Sequence, residues 1–280
     1  MLRNTFCNIP GVGLKSEREL WSGGILSWDD LLNSTSVDLR RGYRDFLRSR
    51  VKESTRCLNE RDADYFAENL PWQQHWRLFP EFRDSTAYLD IETTGVAGPS
   101  NHITTIALYD GKTIFYYVHG HNLDDFKKDI MNYRVVVTYN GKCFDVPVIN
   151  RSFGIRLNQA HIDLRFLLHS LGYKGGLKGC ERRFDISREE LEGVDGYFAV
   201  LLWHDFKENR NLGALETLLA YNILDAVNLE TLMVCAYNLK IKDTPFGETH
   251  QLPMPTVPRN PFDPDVKTMR RIADQYYVNE

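Results

Sequence analysis

The chain has 280 residues, of which 42% are hydrophobic and 26% charged, and a formal net charge of −4 at pH 7; this composition is typical of a soluble globular protein with one sizeable domain and an appendage. Its five cysteines are scattered and form no Cys-x-x-Cys pair, which argues against structural disulfides and a cysteine zinc site. No apolar run approaches the roughly 20 residues that span a bilayer, and the first residues lack the apolar core of a secretory signal, so we expect a cytoplasmic protein.

Residues 1–35 are rich in turn signals around short amphipathic stretches. Gly11-Val12-Gly13 leads into a predicted helix, where glycines allow a phosphate to approach free backbone amides. This stretch resembles a helix-hairpin-helix element, a DNA-binding module that does not depend on sequence. The resemblance predicts phosphate binding by Gly11, Gly13 and Lys15; the alternative is a purely structural turn.

Residues 36–83 are predicted to form a charged helical segment and an aromatic connector. Basic residues recur every four positions at Arg40, Arg44, Arg48 and Lys52, and this spacing places them along one side of a helix. Because the whole chain is acidic, a nucleic acid would have to be bound by such a local basic patch. The alternative is an ordinary solvated helix face.

From Thr86 onward, short β-branched and aromatic runs predict strands at residues 86–92, 103–109, 113–118 and 134–139. The first three are expected to form an antiparallel meander. Predicted helices follow the third and fourth strands, at residues 122–131, 145–154, 164–172, 195–208 and 211–238. This order predicts an α/β fold with a mixed sheet flanked by helices. Residues 241–280 form a proline-punctuated tail with one short helix near 265–275.

Two carboxylates occur two residues apart on the first of these strands. Asp90 and Glu92 project on the same face, so their like charges are unfavourable unless a cation is shared. Oxygen ligands of this kind suit Mg²⁺ or Mn²⁺. The alternative is a solvated pair on an edge strand.

Further polar residues stand where the fourth strand ends and on the longest predicted helix. Asn140 and Asp145 follow the strand, with Asp145 near the start of a helix, where a capping role is the alternative. Tyr221 and Asp225 are four residues apart, so a hydroxyl and a carboxylate lie one turn apart on one helix face. A surface aspartate beside a core tyrosine is the alternative here.

Together these residues resemble the motifs of the DEDD superfamily of 3′→5′ exonucleases, in its tyrosine-bearing branch. "DIETTG" resembles the first motif, "YNGKCFD" the second and "YNILD" the third; the other branch has a histidine where this chain has Ala220. The resemblance covers residues 86–238 and implies a ribonuclease-H-like domain over residues 84–240. It also implies that Asp90, Glu92, Asp145 and Asp225 bind two Mg²⁺ or Mn²⁺ ions, with Tyr221 as a further catalytic residue.

Within that superfamily, "HIDLR" and "GGLKGCERRF" are most similar to the YprB-type group of predicted exonucleases. This similarity implies that Asp163 and Lys178 support the substrate channel or the second motif. Thr93, Asn140 and Lys178 are expected to contact nucleic acid.

The expected function is therefore a two-metal 3′→5′ exonuclease that acts on single-stranded DNA, as a monomer with no membrane association. Sequence does not separate DNA from RNA, because no reader of the 2′-hydroxyl is identifiable, so an exoribonuclease is one alternative. A second is a nucleic-acid-binding protein that keeps the fold without turnover. A third is a structural subunit whose N-terminal segment, with Trp21 and Trp28, binds a protein partner.

Overall fold

A five-stranded mixed sheet lies at the centre of the protein. The computed structural model describes residues 1–33, 41–96, 98 and 101–276. The strands are β1 (Thr86–Thr93), β2 (Ile103–Tyr109), β3 (Ile114–Val118), β4 (Val135–Thr138) and β5 (Ala160–Asp163), in the order β3-β2-β1-β4-β5. The β1–β2 and β2–β3 pairs are antiparallel, and the β1–β4 and β4–β5 pairs are parallel. The predicted meander and the α/β fold with a mixed sheet are confirmed.

The neighbours of β1 pair with it over different lengths. Pairing with β2 continues to Thr93, with a register shift between Glu92 and Thr93, whereas pairing with β4 ends at Tyr88. Such an irregularity increases the local twist of a strand. The carboxyl end of β1 therefore diverges from β4 and leaves space beside Asp90 and Glu92.

Helices cover both faces of this sheet. In chain order they are α1 (Leu14–Ser22), α2 (Trp28–Asn33), α3 (Arg41–Asn59), α4 (Ala63–Asn69), α5 (Phe79–Phe82), α6 (Phe126–Asp129), α7 (Asp145–Phe153), α8 (Leu164–Ser170), α9 (Gly176–Arg183), α10 (Gly196–Asn209), α11 (Leu212–Ile241) and α12 (Val266–Tyr276). By length and composition α11 is apolar enough to cross a membrane, but most of its apolar stretch is buried inside the protein. Packing against the sheet and α10 accounts for its composition.

The N-terminal helices pack tightly against the body of the protein. The indole of Trp28 stacks on Phe66 with ring centroids 6.3 Å apart, and the Trp21 ring contacts Phe246 edge to face. Only 6% of Trp21 and 1% of Trp28 is exposed. These two tryptophans therefore belong to the hydrophobic core, and their side chains are not accessible to a protein partner.

The C-terminal segment follows the outer side of α11. The Asn260 side chain donates a hydrogen bond to the carbonyl of Ala220 at 2.8 Å, and the backbone N–H of Asp265 donates to the Thr217 hydroxyl at 2.8 Å. Further along, the side-chain amide of Asn238 bonds the backbone of Leu252 in both directions. This segment thus supports α11 from outside.

Two elements were not predicted as such. β5 has only four residues, two of them polar, and α9 begins directly after Gly175. The predicted helix over residues 122–131 is instead a succession of short turns in which α6 is flanked by 3₁₀ segments at Leu123–Asp125 and Ile130–Asn132. In each case the local sequence signal is weak, and tertiary packing decides the conformation.

Candidate functional site

Three carboxylates from two distant parts of the chain meet beside the carboxyl end of β1. Asp90 and Glu92 lie on β1, and Asp225 lies on α11. One carboxylate oxygen of each lies within 4.8 Å of one oxygen of both others. We call Asp90, Glu92 and Asp225 the acidic triad. Its first two members are half-buried and the third is buried.

The local electrostatics of the triad favour an additional cation. Desolvation, followed by repulsion from Asp225 and other acids, raises the pKa of Asp90 well above its ordinary value. Desolvation and the charge of Asp225 likewise raise the pKa of Glu92. The side-chain amide of Asn222 donates a hydrogen bond to Asp90 Oδ2 at 2.6 Å, which compensates only in part. A cluster that resists full ionisation in this way is a candidate functional site.

Asp145 lines the same cleft but is not part of the triad. It is the first residue of α7, whose N-cap is Phe144, so the alternative of a capping aspartate does not apply. Desolvation raises the pKa of Asp145 to about 7, against opposing backbone hydrogen bonds at Asp145 itself and at Ile91. Its carboxyl group therefore lies near the backbone of β1, beyond the point where β1 stops pairing with β4.

These acids line a cleft of about 760 Å³. The predicted residues Thr93, Asn140 and Tyr221 line the cleft together with the triad and Asp145. Its remaining lining includes the exposed side chains of Arg165, His169, Lys174 and Phe144 and the half-buried ring of Tyr173. We call Arg165, His169 and Lys174 the basic wall. The sequence analysis did not single out these three residues, because their meeting at the cleft depends on how α8 packs.

Asp163 fixes the turn that joins β4 to α7. Its carboxylate accepts hydrogen bonds from the backbone N–H groups of Asn140 at 2.8 Å, Lys142 at 3.0 Å and Arg165 at 3.0 Å. Gly141 is needed in this turn, because a Cβ there would lie 2.2 Å from the hydroxyl oxygen of Thr138. Asp163 thereby positions the segment that leads to Asp145.

Tyr221 is buried one turn before Asp225 and has cations on its ring. Lys178 Nζ lies 5.0 Å and Arg188 Cζ 5.6 Å from the ring centroid. Desolvation and the charge of Asp225 raise the pKa of the Tyr221 hydroxyl far above its ordinary value. The hydroxyl is therefore protonated at neutral pH and available as a hydrogen-bond donor.

Comparison with known proteins places this fold and site in a family. A family model described as the RNase_H superfamily matches residues 87–237, just over half of the chain. The chain belongs to the RNase_H superfamily. The match contains every member of the acidic triad as well as Asp145 and Tyr221.

One similar solved structure is that of the family B DNA polymerase from the hyperthermophilic archaeon Pyrobaculum calidifontis. The match has 15% sequence identity and a TM-score of 0.38, and it covers 56% of this chain and 29% of the polymerase chain. The chain thus corresponds to less than a third of that polymerase. No curated protein gives a significant match.

In this RNase_H superfamily chain the acidic triad has the donor set of a divalent-cation site. Carboxylate oxygens are the ligands that Mg²⁺ and Mn²⁺ prefer. Three such oxygens close together, with raised pKa values, form a site where a cation would relieve repulsion. The residues present therefore fit a metal ion of this class.

Sequence reasoning missed a buried cationic partner of the triad. A guanidinium nitrogen of Arg188, Nη2, donates a hydrogen bond to Asp225 Oδ1, and only 3% of the Arg188 side chain is exposed. The two residues are 37 positions apart in the sequence. No short-range pattern relates them.

The remaining predicted nucleic-acid contacts are not among the described residues that line the cleft. Lys178 donates a hydrogen bond to the carbonyl of Val194. Gly11 has a positive φ of 84°, and Gly13 precedes α1 as its N-cap. The other predicted residues are Lys15 and Lys52, both exposed, Arg44 and Arg48, both half-buried on α3, and Arg40, which lies outside the described residues. Phosphate binding by this N-terminal group stays a prediction.

Proposed function

We propose that this chain is a metal-dependent exonuclease that removes nucleotides from 3′ ends, with single-stranded DNA as its substrate. The observation that carries the proposal is the convergence of Asp90, Glu92 and Asp225 within 4.8 Å on a cleft with a basic wall. Four acids with Tyr221 one turn before the last of them resemble the tyrosine-bearing branch of the DEDD exonucleases, and the sequence around them resembles the YprB-type group.

The acids have one role in this proposal and the tyrosine another. Asp90, Glu92, Asp145 and Asp225 would hold Mg²⁺ or Mn²⁺, and such ions supply charge stabilisation at phosphorus and a nucleophilic water at neutral pH. Tyr221 remains protonated, so it is unsuited to act as a general base near pH 7. Its hydroxyl instead donates a hydrogen bond that orients the attacking water.

The chemistry of the cleft wall supports a nucleic acid as the substrate. Arg165 and Lys174 are exposed cations that suit the phosphates on either side of the scissile bond. Phe144 is 40% exposed on the same cleft, and the half-buried ring of Tyr173 also lines this cleft; such rings provide stacking surfaces for unpaired bases. A single strand presents both phosphates and unstacked bases to such a surface.

The test of this function uses 5′-labelled single-stranded DNA and RNA of equal sequence, incubated with Mg²⁺, Mn²⁺ or EDTA. We expect a ladder that shortens from the 3′ end, and its loss in EDTA. Asp90→Asn and Asp225→Asn should each lower the rate by about 10³-fold or more, since several kcal/mol of transition-state stabilisation is removed.

The matched control is Asp205→Asn, which alters a buried aspartate on α10 that bonds Asn209, Asn211 and Arg271. Its cleavage rate should stay near that of the unaltered chain. Cleavage of RNA alone would make the protein an exoribonuclease. Binding of either polymer that survives EDTA, with no cleavage, would refute the catalytic proposal and leave a binding protein.

A further inference from the structure

A buried arginine that belongs to no predicted motif holds Asp225, one member of the acidic triad. Arg188 precedes the 3₁₀ turn Glu189–Leu191. It donates to both oxygens of Glu181, from Nε to Oε2 at 2.6 Å and from Nη2 to Oε1 at 2.9 Å. The same Nη2 donates to Asp225 Oδ1. One guanidinium therefore joins Glu181 on α9 to Asp225 on α11.

We propose that Arg188 is a positioning residue for metal binding, which sets the orientation of the Asp225 carboxylate before a metal ion binds. This inference rests on the proposed function in one respect only, namely that the acidic triad binds divalent ions. Arg188 fixes Asp225 through Oδ1 and leaves Oδ2 for the ion. Partners that orient a metal-binding carboxylate from behind affect metal affinity although they do not touch the metal.

The position of Arg188 is determined by more than its contact with Asp225. The side-chain amide of Asn228 donates to Glu181 Oε1 at 2.8 Å, and Asn228 lies three residues after Asp225 on α11. Glu181 is thus bonded both to Arg188 and to the helix that carries Asp225. A planar guanidinium held in this two-point geometry has little rotational freedom, so it restricts the carboxylate that it contacts.

The net charge of the Arg188–Glu181 pair also indicates that Arg188 positions Asp225 and does not simply neutralise it. The charges of Arg188 and Glu181 cancel, and both side chains are at least 97% buried. The pair therefore subtracts little from the negative field that attracts a cation to the triad. Without Arg188, the buried carboxylate of Glu181 would face Asp225 with no cation between them, and Asp225 would be displaced.

The same arginine contacts the other functional side chain of α11. Its guanidinium lies over the ring of Tyr221, while Arg188 Nη1 has no hydrogen-bond partner among the described residues. An aromatic face is a suitable neighbour for such a group. Arg188 thus constrains two residues that stand one helical turn apart and face the same cleft.

The test measures Mn²⁺ binding directly, by calorimetry and by the electron paramagnetic resonance signal of free Mn²⁺, in the full-length protein. Arg188→Gln should weaken binding by about 10- to 100-fold, the usual effect of removing a partner of a metal ligand. Arg188→Lys should fall in between, because an ammonium keeps the charge but not the two-point geometry. Arg188→Lys also carries the test if Arg188→Gln does not fold.

The chain offers a closely matched control. Arg77 donates to both oxygens of Glu17 at 2.8 and 2.9 Å, and these side chains are 4% and 1% exposed, but this pair lies between the N-terminal element and the connector. Arg77→Gln should lower the melting temperature and leave Mn²⁺ affinity within about twofold of the unaltered chain. A loss of affinity equal to that of Arg188→Gln would overturn the inference.

A double-mutant cycle tests whether Arg188 acts through Asp225. In an Asp225→Asn background, Arg188→Gln should change Mn²⁺ affinity by no more than about twofold. Mn²⁺ binding by Arg188→Gln as tight as in the unaltered chain, or tighter, would overturn the inference even if the chain cuts DNA. Weakened binding in Arg188→Gln, in a protein that cuts neither DNA nor RNA, would support it and refute the nuclease function.

Discussion

Neutralising Asp90 should stabilise the metal-free protein while removing its function. Two full charges no more than 4.8 Å apart repel by at least about 3.5 kcal/mol at an effective dielectric constant of about 20, and Asp90 faces both Glu92 and Asp225. Protonation of the triad relieves part of this repulsion. We therefore expect Asp90→Asn to raise the free energy of unfolding by about 1–3 kcal/mol at pH 8. The amide keeps an oxygen to accept the hydrogen bond from Asn222.

The assay is thermal unfolding in EDTA, followed by addition of Mg²⁺ or Mn²⁺. A gain of this size corresponds to a rise in melting temperature of about 2–10 °C. Metal should raise the melting temperature of the unaltered chain and leave that of Asp90→Asn unchanged. Asp205→Asn, which loses buried hydrogen bonds, should melt lower in both conditions.

The sign of the pH dependence gives a second check on the same reasoning. Carboxyl groups whose pKa is raised by folding stabilise the native state at low pH, and this contribution is lost as pH rises through the raised pKa. Because desolvation raises the pKa of Asp145 from its ordinary value of 3.8 to about 7, stability in EDTA should fall between about pH 4 and pH 7. The advantage of Asp90→Asn should grow over that interval. A melting temperature below that of the unaltered chain at pH 8 in EDTA would refute the repulsion argument.

Three further predictions concern the rest of the cleft. Tyr221→Phe should lower kcat by about 10- to 100-fold, less than the loss of a carboxylate, with Mn²⁺ affinity unchanged by calorimetry. Gly141→Ala places a Cβ 2.2 Å from the Thr138 hydroxyl oxygen and should lower the free energy of unfolding by about 1–3 kcal/mol in denaturant titrations. Arg165→Ala with Lys174→Ala should reduce the slope of log affinity against log salt by about 0.7 per lost phosphate contact, measured by fluorescence anisotropy.

Two of these predictions have a control within the chain. Gly42 lies in α3, and an added Cβ there meets no atom within 4 Å, so Gly42→Ala should not destabilise the protein. Lys112 is exposed in the turn between β2 and β3, and Lys112→Ala should leave the salt dependence unchanged. An equal effect of Lys112→Ala would mean that general charge, and not the basic wall, governs binding.

Much of the fold was predictable because its strands and long helices carry strong local patterns. Residues 103–109 are a β-branched and apolar run that the structure has as β2 over the same range. The helix α11 follows its apolar stripe from Leu212 to Ile241, a little beyond the predicted residues 211–238. In these segments local propensity and tertiary packing agree.

The site was predictable only in part. Spacing alone places Asp90 with Glu92, and Tyr221 with Asp225, because each pair lies within one strand or one helix. Their meeting across the cleft was inferred from a resemblance. The contact of Arg188 with Asp225 depends on the packing of three separate segments, and no periodicity records such a contact.

The divergence of β1 from β4 makes one backbone amide a natural spectroscopic reporter. Where the two strands separate, the backbone amide of Ile91 lies close enough to the Asp145 carboxyl group to lower its pKa, so a side chain and not β4 is the neighbour of that amide. Its hydrogen exchange rate and its ¹⁵N chemical shift should therefore follow the state of a carboxyl group. The resonance of the Ile91 amide would therefore report whether Asp145, the first residue of α7, lies against β1.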